Sequence, residues 1–262
     1  MRVLITGGLG VVGMQYAKHC VEQGHKVVVL DNHARGESSQ LNEDWLRAYT
    51  SPLCSSYAGP LRFVHGDVAL PEVIQEALNQ FRGVDRVVHA AAQSSVNMSM
   101  VYPEVDFASN VIGTFTLLEE LRKSSPQTEV IYLASNKVYD VTTWPVELDG
   151  VRYRWVGNRR GPSEQFPFYT DAKEPYGASK IAGLYYSRCY ASLYKMPIVV
   201  VVPSGMYGPR QYGQASQGWL GWFVIATQLQ LPLTICGDGF QVRDMLHVRD
   251  VCSAFDRIFD VA

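Results

Sequence analysis

Disulfide pairing, excess charge and long apolar runs are all missing from this chain of 262 residues. Its five cysteines, at positions 20, 54, 189, 236 and 252, are odd in number, scattered and never spaced C-x-x-C. That pattern excludes a disulfide scaffold and suits a reducing compartment, with the thiols acting as small buried apolar groups. The six histidines show no metal-ligand spacing, so no metal is expected. A net charge of −2 leaves no polybasic footprint, which argues against nucleic acid as a partner. No apolar run reaches the length of a membrane span, so no membrane is expected either. The chain enters a strand at once, without a basic leader, and a cytoplasmic location is the expectation that follows. Internal repeats and low-complexity tracts are also lacking.

What the chain does have is apolar content: 47% of its residues are hydrophobic and 18% charged, ample for a sizeable core. The most informative stretch is the first. Arg2–Thr6 is a short apolar run, as expected of a strand buried on both faces. It leads into Thr6-Gly7-Gly8-Leu9-Gly10-Val11-Val12-Gly13, where the glycines at 8, 10 and 13 satisfy G-x-G-x-x-G and Gly7 adds a fourth. Gln15–Gln23 reads as helix, Gly24 as its stop and Lys26–Leu30 as a second strand, closed by Asp31. Glycine permits a tight turn and a close approach of backbone to a pyrophosphate. The helix N-terminus offers N–H groups and a partial positive charge to the phosphates. Asp31 follows Gly13 by 18 residues, where a carboxylate can take the hydroxyls of an adenosine ribose. Strand, turn, helix, strand and terminal acid in this order predict a dinucleotide site.

The same alternation continues. His33–Pro60 is polar and turn-rich, with Leu41, Trp45 and Leu46 suggesting a short amphipathic helix within it. Leu61–His65 returns to strand and is followed by Gly66-Asp67-Val68. An acid at the carboxyl end of a parallel strand faces the ligand crevice, so Asp67 is a candidate for the adenine amino group; it is equally a candidate cap for a helix starting near Pro71. Asp85–His89 is a fourth strand, ending in Ala90-Ala91-Ala92-Gln93-Ser94-Ser95, whose alanines leave room for a flat ligand. A long helix spans about Pro103–Lys123; Asn110 inside it either faces solvent or holds a neighbouring backbone segment. Val130–Ala134 is a fifth strand, Asp140–Lys173 a long irregular excursion, Pro175–Tyr194 a helix and Ile198–Val202 a sixth strand. Beyond it the pattern loosens into a loop, a helix at Trp219–Leu229, a short strand at Leu233–Cys236 and a helix at Asp250–Val261. The fold class is α/β, a doubly wound parallel sheet. Residues 1–202 are expected to form the nucleotide-binding domain and 203–262 the start of a smaller substrate lobe.

Tyr176 and Lys180 are four apart on a predicted helix and share one face. An adjacent ammonium and a cationic nicotinamide would favour the phenolate and lower the phenol's usual value of ~10. Such a phenol can exchange a proton with a sugar or alcohol hydroxyl near neutral pH. Ser135, at the end of the fifth strand, is placed to hydrogen-bond the same hydroxyl. Ser135, Tyr176 and Lys180 are therefore the candidate catalytic residues.

At this point the chain resembles an extended short-chain dehydrogenase/reductase of the NAD-dependent epimerase/dehydratase family, whose members act on nucleotide sugars over a Rossmann sheet. The matching pieces are the residue 6–13 fingerprint, Asp31-Asn32, Gly66-Asp67-Val68, His89-Ala90-Ala91, Asn110, Ser135, Tyr176 with Lys180, and Gln241–Val248. The resemblance implies NAD as cofactor, held by Gly7, Gly10, Val11, Val12, Gly13, Asp31, Asn32, Asp67, Val68, Ala90, Ala91, Gln93, Asn110, Tyr176 and Lys180. It implies that Asn110 organises the active-site backbone and that Lys180 also holds the nicotinamide ribose. The implied substrate-binding residues are Ser94, Ser135, Asn136, Lys137, Ser204, Gln217, Trp219 and Arg243, with Arg243 facing the sugar-nucleotide diphosphate.

Within the family, Ser135-Asn136-Lys137-Val138-Tyr139, Met206–Gln211 and Gln217–Phe223 resemble the CDP-paratose (CDP-tyvelose) 2-epimerases. Dehydratases of the family carry an Asp-Glu pair where Asn136-Lys137 stands, and an amide with an ammonium cannot supply that acid and base. Departures occur at Asp140, Val202, Pro203 and Gly205, on the expected sugar-nucleotide side. Relatives continue past the position of Ala262 through more of the substrate lobe. The implied function is a redox-neutral epimerase acting at sugar C2 of a CDP-sugar. A 4-epimerase or net oxidoreductase using the same residues, or a catalytically silent NAD-binding fragment, are the alternatives. The resemblance also implies a homodimer, or a higher homo-oligomer, pairing through the helices at 103–123 and 175–194.

Overall fold

The computed structural model describes residues 1–51, 59–140, 144–157, 161, 163–165, 168 and 174–261. The expectation for Cys54, and parts of the stretches at 33–60 and 140–173, lie outside the described residues.

Strand β1 (Arg2–Thr6) is followed by α1 (Val11–Glu22), β2 (Lys26–Asp31), α2 (Glu37–Thr50), β3 (Leu61–His65), α3 (Pro71–Asn79) and β4 (Arg86–His89). After the short α4 (Val96–Val101), one continuous helix runs as α5 (Pro103–Asp106), a π-helical turn (Phe107–Ile112) and α6 (Gly113–Ser124). It leads to β5 (Glu129–Leu133). A small antiparallel hairpin, β6 (Val146–Leu148) with β7 (Tyr153–Trp155), precedes α7 (Pro175–Tyr194) and β8 (Ile198–Val201). The tail holds β9 (Gly205–Tyr207), α8 (Trp219–Gln228), β10 (Met245–His247) and α9 (Val248–Val261).

The main sheet has the order β3-β2-β1-β4-β5-β8, and every neighbour pair is parallel. The doubly wound α/β expectation therefore holds. The period-2 alternation of side chains sorts each strand onto two cores. Val3, Ile5, Val27, Val29, Val88 and Ile131 pack beneath α1 and α9. Leu4, Val28, Leu30, Val87 and Val130 pack on the opposite face, against Ile74 of α3, Leu117, Leu118 and Leu121 of α6, and Tyr190 of α7. Chain order reverses between β1 and β4, and a parallel α/β sheet opens its ligand crevice at such a switch point.

Several local expectations need correction. Helix α1 starts at Val11 and not near Gln15, because the last two fingerprint valines and Gly13 already form its first turn. Helix α2 fills 14 residues of the stretch read as polar and turn-rich. Residues 233–236 form no strand; Leu233, Ile235 and Cys236 are exposed there, and the tail's strand pairing is made instead by β9 with β10. The thiols divide: Cys20 and Cys252 are buried as expected, whereas Cys189 and Cys236 are exposed. The tail is also not wholly a separate lobe, since α9 buries Val248, Val251, Cys252, Phe255 and Phe259 in the same core as α1.

Candidate active site

A cleft of about 1130 Å³ runs along the carboxyl ends of β1, β2, β4 and β5. Its floor is the glycine turn. Gly7 has φ +63°, and a Cβ there would sit 2.6 Å from Cα of Ala91. A Cβ on Gly13 would sit 2.4 Å from the carbonyl oxygen of Gly7. Only glycine allows this approach of turn, helix and neighbouring strand. The N-cap of α1 is Gly10, which has no side chain to occupy the first-turn N–H groups, and Val11, Val12 and Gly13 line the cleft beside it. A bare helix N-terminus facing a cavity suits the pyrophosphate of a dinucleotide.

At the adenosine end, the Asp31 carboxylate accepts from the backbone N–H of Leu9 at 3.0 Å and of His33 at 2.9 Å. Burial pushes this carboxyl up, and the two backbone hydrogen bonds oppose the rise. The bonds fix its orientation and leave each oxygen a further lone pair. Asp67 accepts from Asn32 Nδ2 at 2.9 Å and from the Ala69 N–H at 2.9 Å. It lines the cleft, and α3 is capped instead by Leu70 without a side-chain bond. Of the two readings of Asp67, the helix cap is thus excluded.

Beyond the pyrophosphate turn, Ala90, Ala91, Ala92, Gln93 and Ser94 form one wall, with Val68, Tyr176 and Lys180 nearby. Asn110 is 1% exposed, and its Nδ2 donates to the Gln93 carbonyl at 3.1 Å and to Ser179 Oγ at 2.8 Å. It holds a neighbouring segment rather than facing solvent. The π-helical turn around it widens the helix at this point, and such turns recur at functional sites. Asn110 Oδ1 is buried without a protein partner.

Tyr176 and Lys180 sit in the first turns of α7, which opens with Pro175 at its start. Burial holds the Tyr176 phenol above its ordinary value; a hydrogen bond with Ser135 draws it down, and the negative charge of Asp106 adds to the rise. Ser135 is the group that draws the phenol down against burial. Lys180 is itself pushed down to about 8 by burial, which outweighs the pull of Asp106. Its Nζ lies over the Tyr132 ring, 4.9 Å from the centroid.

Two buried groups were not among the expected site residues. Asp106 is 1% exposed and accepts from Gln93 Nε2 at 2.6 Å and from Ser179 Oγ at 2.9 Å, which ties the alanine wall to α7. Its one sequence signal is its place four residues before Asn110. His89, 1% exposed, links Thr6 Oγ1 at 2.6 Å to Thr114 Oγ1 at 3.0 Å. Burial and the Lys180 charge push it down to about 3, so it stays neutral.

On the opposite lip, Gln217 and Trp219 line the cleft. Gln217 Oε1 accepts from Arg35 at 2.8 Å, and its Nε2 hydrogen-bonds Ser94 Oγ. The residue thus bridges the loop after β2 and the alanine wall. Ser135 caps a short 3₁₀ turn, Asn136–Val138, by accepting from the Lys137 N–H at 3.3 Å, and Asn136 and Lys137 are exposed. Of the expected substrate residues, Ser135, Asn136, Lys137, Ser204 and Arg243 are not brought into the cleft wall; Arg243 is exposed and its guanidinium donates to the Val242 carbonyl at 2.9 Å.

Comparison with known proteins agrees with this geometry. Residues 3–261 match the NAD dependent epimerase/dehydratase family. The chain is 35% identical over 261 residues to CDP-paratose 2-epimerase of Salmonella typhi, covering 97% of this chain and 73% of that protein. It is 29% identical over 258 residues to UDP-glucose 4-epimerase of Mycolicibacterium smegmatis, covering 98% and 72%. Among solved structures, the UDP-glucose 4-epimerase of Thermus thermophilus in complex with NAD superposes with a TM-score of 0.75 at 29% identity, over 98% of this chain and 74% of that one. The dTDP-glucose 4,6-dehydratase of Streptomyces venezuelae with NAD bound gives 0.75 at 27% identity, over 99% and 72%. The chain belongs to the NAD-dependent epimerase/dehydratase family, with NAD as its cofactor.

Proposed function

We propose that the protein epimerises a nucleotide sugar at C2, with a CDP-sugar as substrate, through a transient keto-sugar. The observation that carries this reading is the turn after β5. It sets Ser135 against Tyr176 while presenting an amide and an ammonium, Asn136 and Lys137, and no carboxylate pair to expel water. The 35% identity to a CDP-paratose 2-epimerase, against 29% to a UDP-glucose 4-epimerase, favours C2 over C4.

NAD, when bound in this cleft, would supply the reversible hydride acceptor that a redox-neutral epimerisation needs. The chain's own residues do the rest. Tyr176 takes the proton of the adjacent hydroxyl and gives it back, with Ser135 hydrogen-bonded to the same oxygen. Lys180 supplies positive charge beneath the phenol and holds the nicotinamide ribose. Gly7, Gly10, Val11, Val12 and Gly13 cradle the pyrophosphate, and Asp31, Asn32, Asp67 and Val68 hold the adenosine. Ala90, Ala91, Gln93 and Asn110 shape the nicotinamide wall. Ser94, Gln217 and Trp219, which line the cleft, face the sugar nucleotide in this reading, and Asn136, Lys137, Ser204 and Arg243 contact it from outside the present cleft wall. In this reading residues 1–202 with α9 serve the cofactor and residues 203–247 the sugar. The enzyme works as a homodimer in the cytoplasm.

Incubation with CDP-sugars in deuterated water, followed by NMR of the products, tests the assignment. Inversion at C2 with little solvent deuterium at that carbon and no NADH accumulation is the expected result, and Tyr176→Phe abolishes it. Inversion only at C4, loss of water, or stoichiometric NADH would each overturn it.

A further inference from the structure

Among the described residues, one group of metal-type donors lies apart from the catalytic chemistry: His33, Glu43 and His65. They come from three pieces of chain. His33 is in the loop after β2, Glu43 is on α2, and His65 ends β3, whose register sets it beside Asp31. One carboxylate oxygen gathers both rings: Glu43 Oε2 lies 2.9 Å from His33 Nε2 and 2.8 Å from His65 Nε2. The rings meet edge to face, with centroids 4.8 Å apart. The Glu43 side chain is 4% exposed, His33 25% and His65 56%. The other carboxylate oxygen, Oε1, is held by Arg47 through two hydrogen bonds.

We infer that His33, Glu43 and His65 form a binding site for one divalent transition-metal ion of the zinc class, with water completing the coordination. Two imidazoles and a carboxylate are a donor set that zinc and its neighbours accept, while the all-oxygen preference of magnesium and calcium disfavours them here. The geometry is near what is required. Zinc bonds of about 2.0–2.1 Å place tetrahedral donors roughly 3.3 Å apart. Here the donor atoms all lie within 4.8 Å of one another, so rotation of the exposed His65 ring closes the set. Binding would put the metal between Glu43 Oε2 and the two Nε2 atoms that face it, any proton on those nitrogens leaving to solvent. Arg47 orients the ligand from behind, as outer partners of metal carboxylates do. Its positive charge also limits affinity.

The consequence is local. The His33 N–H donates to Asp31 Oδ1 and the Ala34 N–H to Asn32 Oδ1, so a metal on His33 fastens the loop that carries Asp31, Asn32 and Arg35 into the cleft. No sequence spacing revealed the cluster, because its members stand 10 and 22 residues from Glu43.

The test titrates the tag-free, full chain with Co(II), whose tetrahedral complexes absorb visibly, and with Zn(II) by calorimetry. A single saturable site is expected, with Zn(II) bleaching the Co(II) spectrum. His65→Gln and His33→Gln should each weaken binding at least about tenfold while circular dichroism stays unchanged. The proposal is overturned by the lack of both colour and heat, or by one-to-one binding that neither histidine variant alters.

Discussion

Lys180 is 4% exposed, and its ammonium is pushed down to about 8, since burial costs it more than Asp106 returns. Between that value and the ordinary 10.5, the unfolded chain holds more protons than the folded one. Its contribution to stability therefore improves as pH rises through this window and is least favourable below about 8. The full penalty is about 3 kcal/mol at most. Lys180→Met is expected to end turnover yet stabilise the fold by about 1–2 kcal/mol at pH 7, less than the full penalty because Asp106 loses its counter-charge. The gain should shrink toward pH 10. Urea denaturation at the two pH values checks this, and a destabilised variant at pH 7 would refute it. At this scale the sequence was informative where function demands a residue type at a fixed chain spacing: Gly7, Gly13, Asp31, Tyr176 and Lys180 were all legible and all line the cleft. Asp106 was not, because its partners stand at 13 and 73 residues' separation, and His89 was legible as part of the His89-Ala90-Ala91 match but not as a link between threonines 83 and 25 residues away.

Among the elements, buried strands and long helices announce themselves by apolar runs and 3.6-residue periodicity, and α7 falls at the residues expected. The three-residue strands β6, β7, β9 and β10 do not, since so short a run carries no period and owes its pairing to distant chain. Helix α9 was legible as a helix but not as part of the nucleotide-binding core. Its packing is nonetheless extensive. Phe255 is 1% exposed and meets Tyr16 of α1 edge to face at 5.2 Å. The Tyr16 hydroxyl donates to Asp256 at 3.1 Å, and His19 Nε2 approaches the other oxygen of Asp256 at 2.6 Å. Helix α1 is the one whose N-terminus faces the cleft, so its support from below bears on cofactor binding. Phe255→Ala is expected to cost about 3–5 kcal/mol of stability through the cavity it leaves. Denaturant melts measure that loss directly, and a change below about 1 kcal/mol would mean that α9 is dispensable to the core.

For the molecule as a whole, the outer surface of the α6–α7 layer is conspicuously apolar. Phe107, Phe115, Tyr185, Tyr186, Leu193 and Tyr194 are all exposed on these adjacent helices, and Phe115 stacks edge to face on Tyr186 at 5.8 Å. Isolated exposed apolar residues are ordinary, but a contiguous group on two parallel ridges is the composition of an interface core. In the proposed homodimer a second copy of the same chain would cover this patch by a two-fold axis, each α6–α7 pair packing on its twin. The patch borders the catalytic helix, because α7 carries Tyr176 and Lys180 at one end and Leu193 and Tyr194 at the other. Dimerisation would therefore brace the element that sets the proton-transfer groups. The expected outcome is a dimer by light scattering, and a monomer for the double variant Phe115→Glu with Tyr186→Glu. The monomer should retain its circular dichroism but lose thermal stability and some turnover, since α7 then exposes its apolar face to water. A wild-type chain that stays monomeric at high concentration, or a double variant that stays dimeric, would place the partner surface elsewhere.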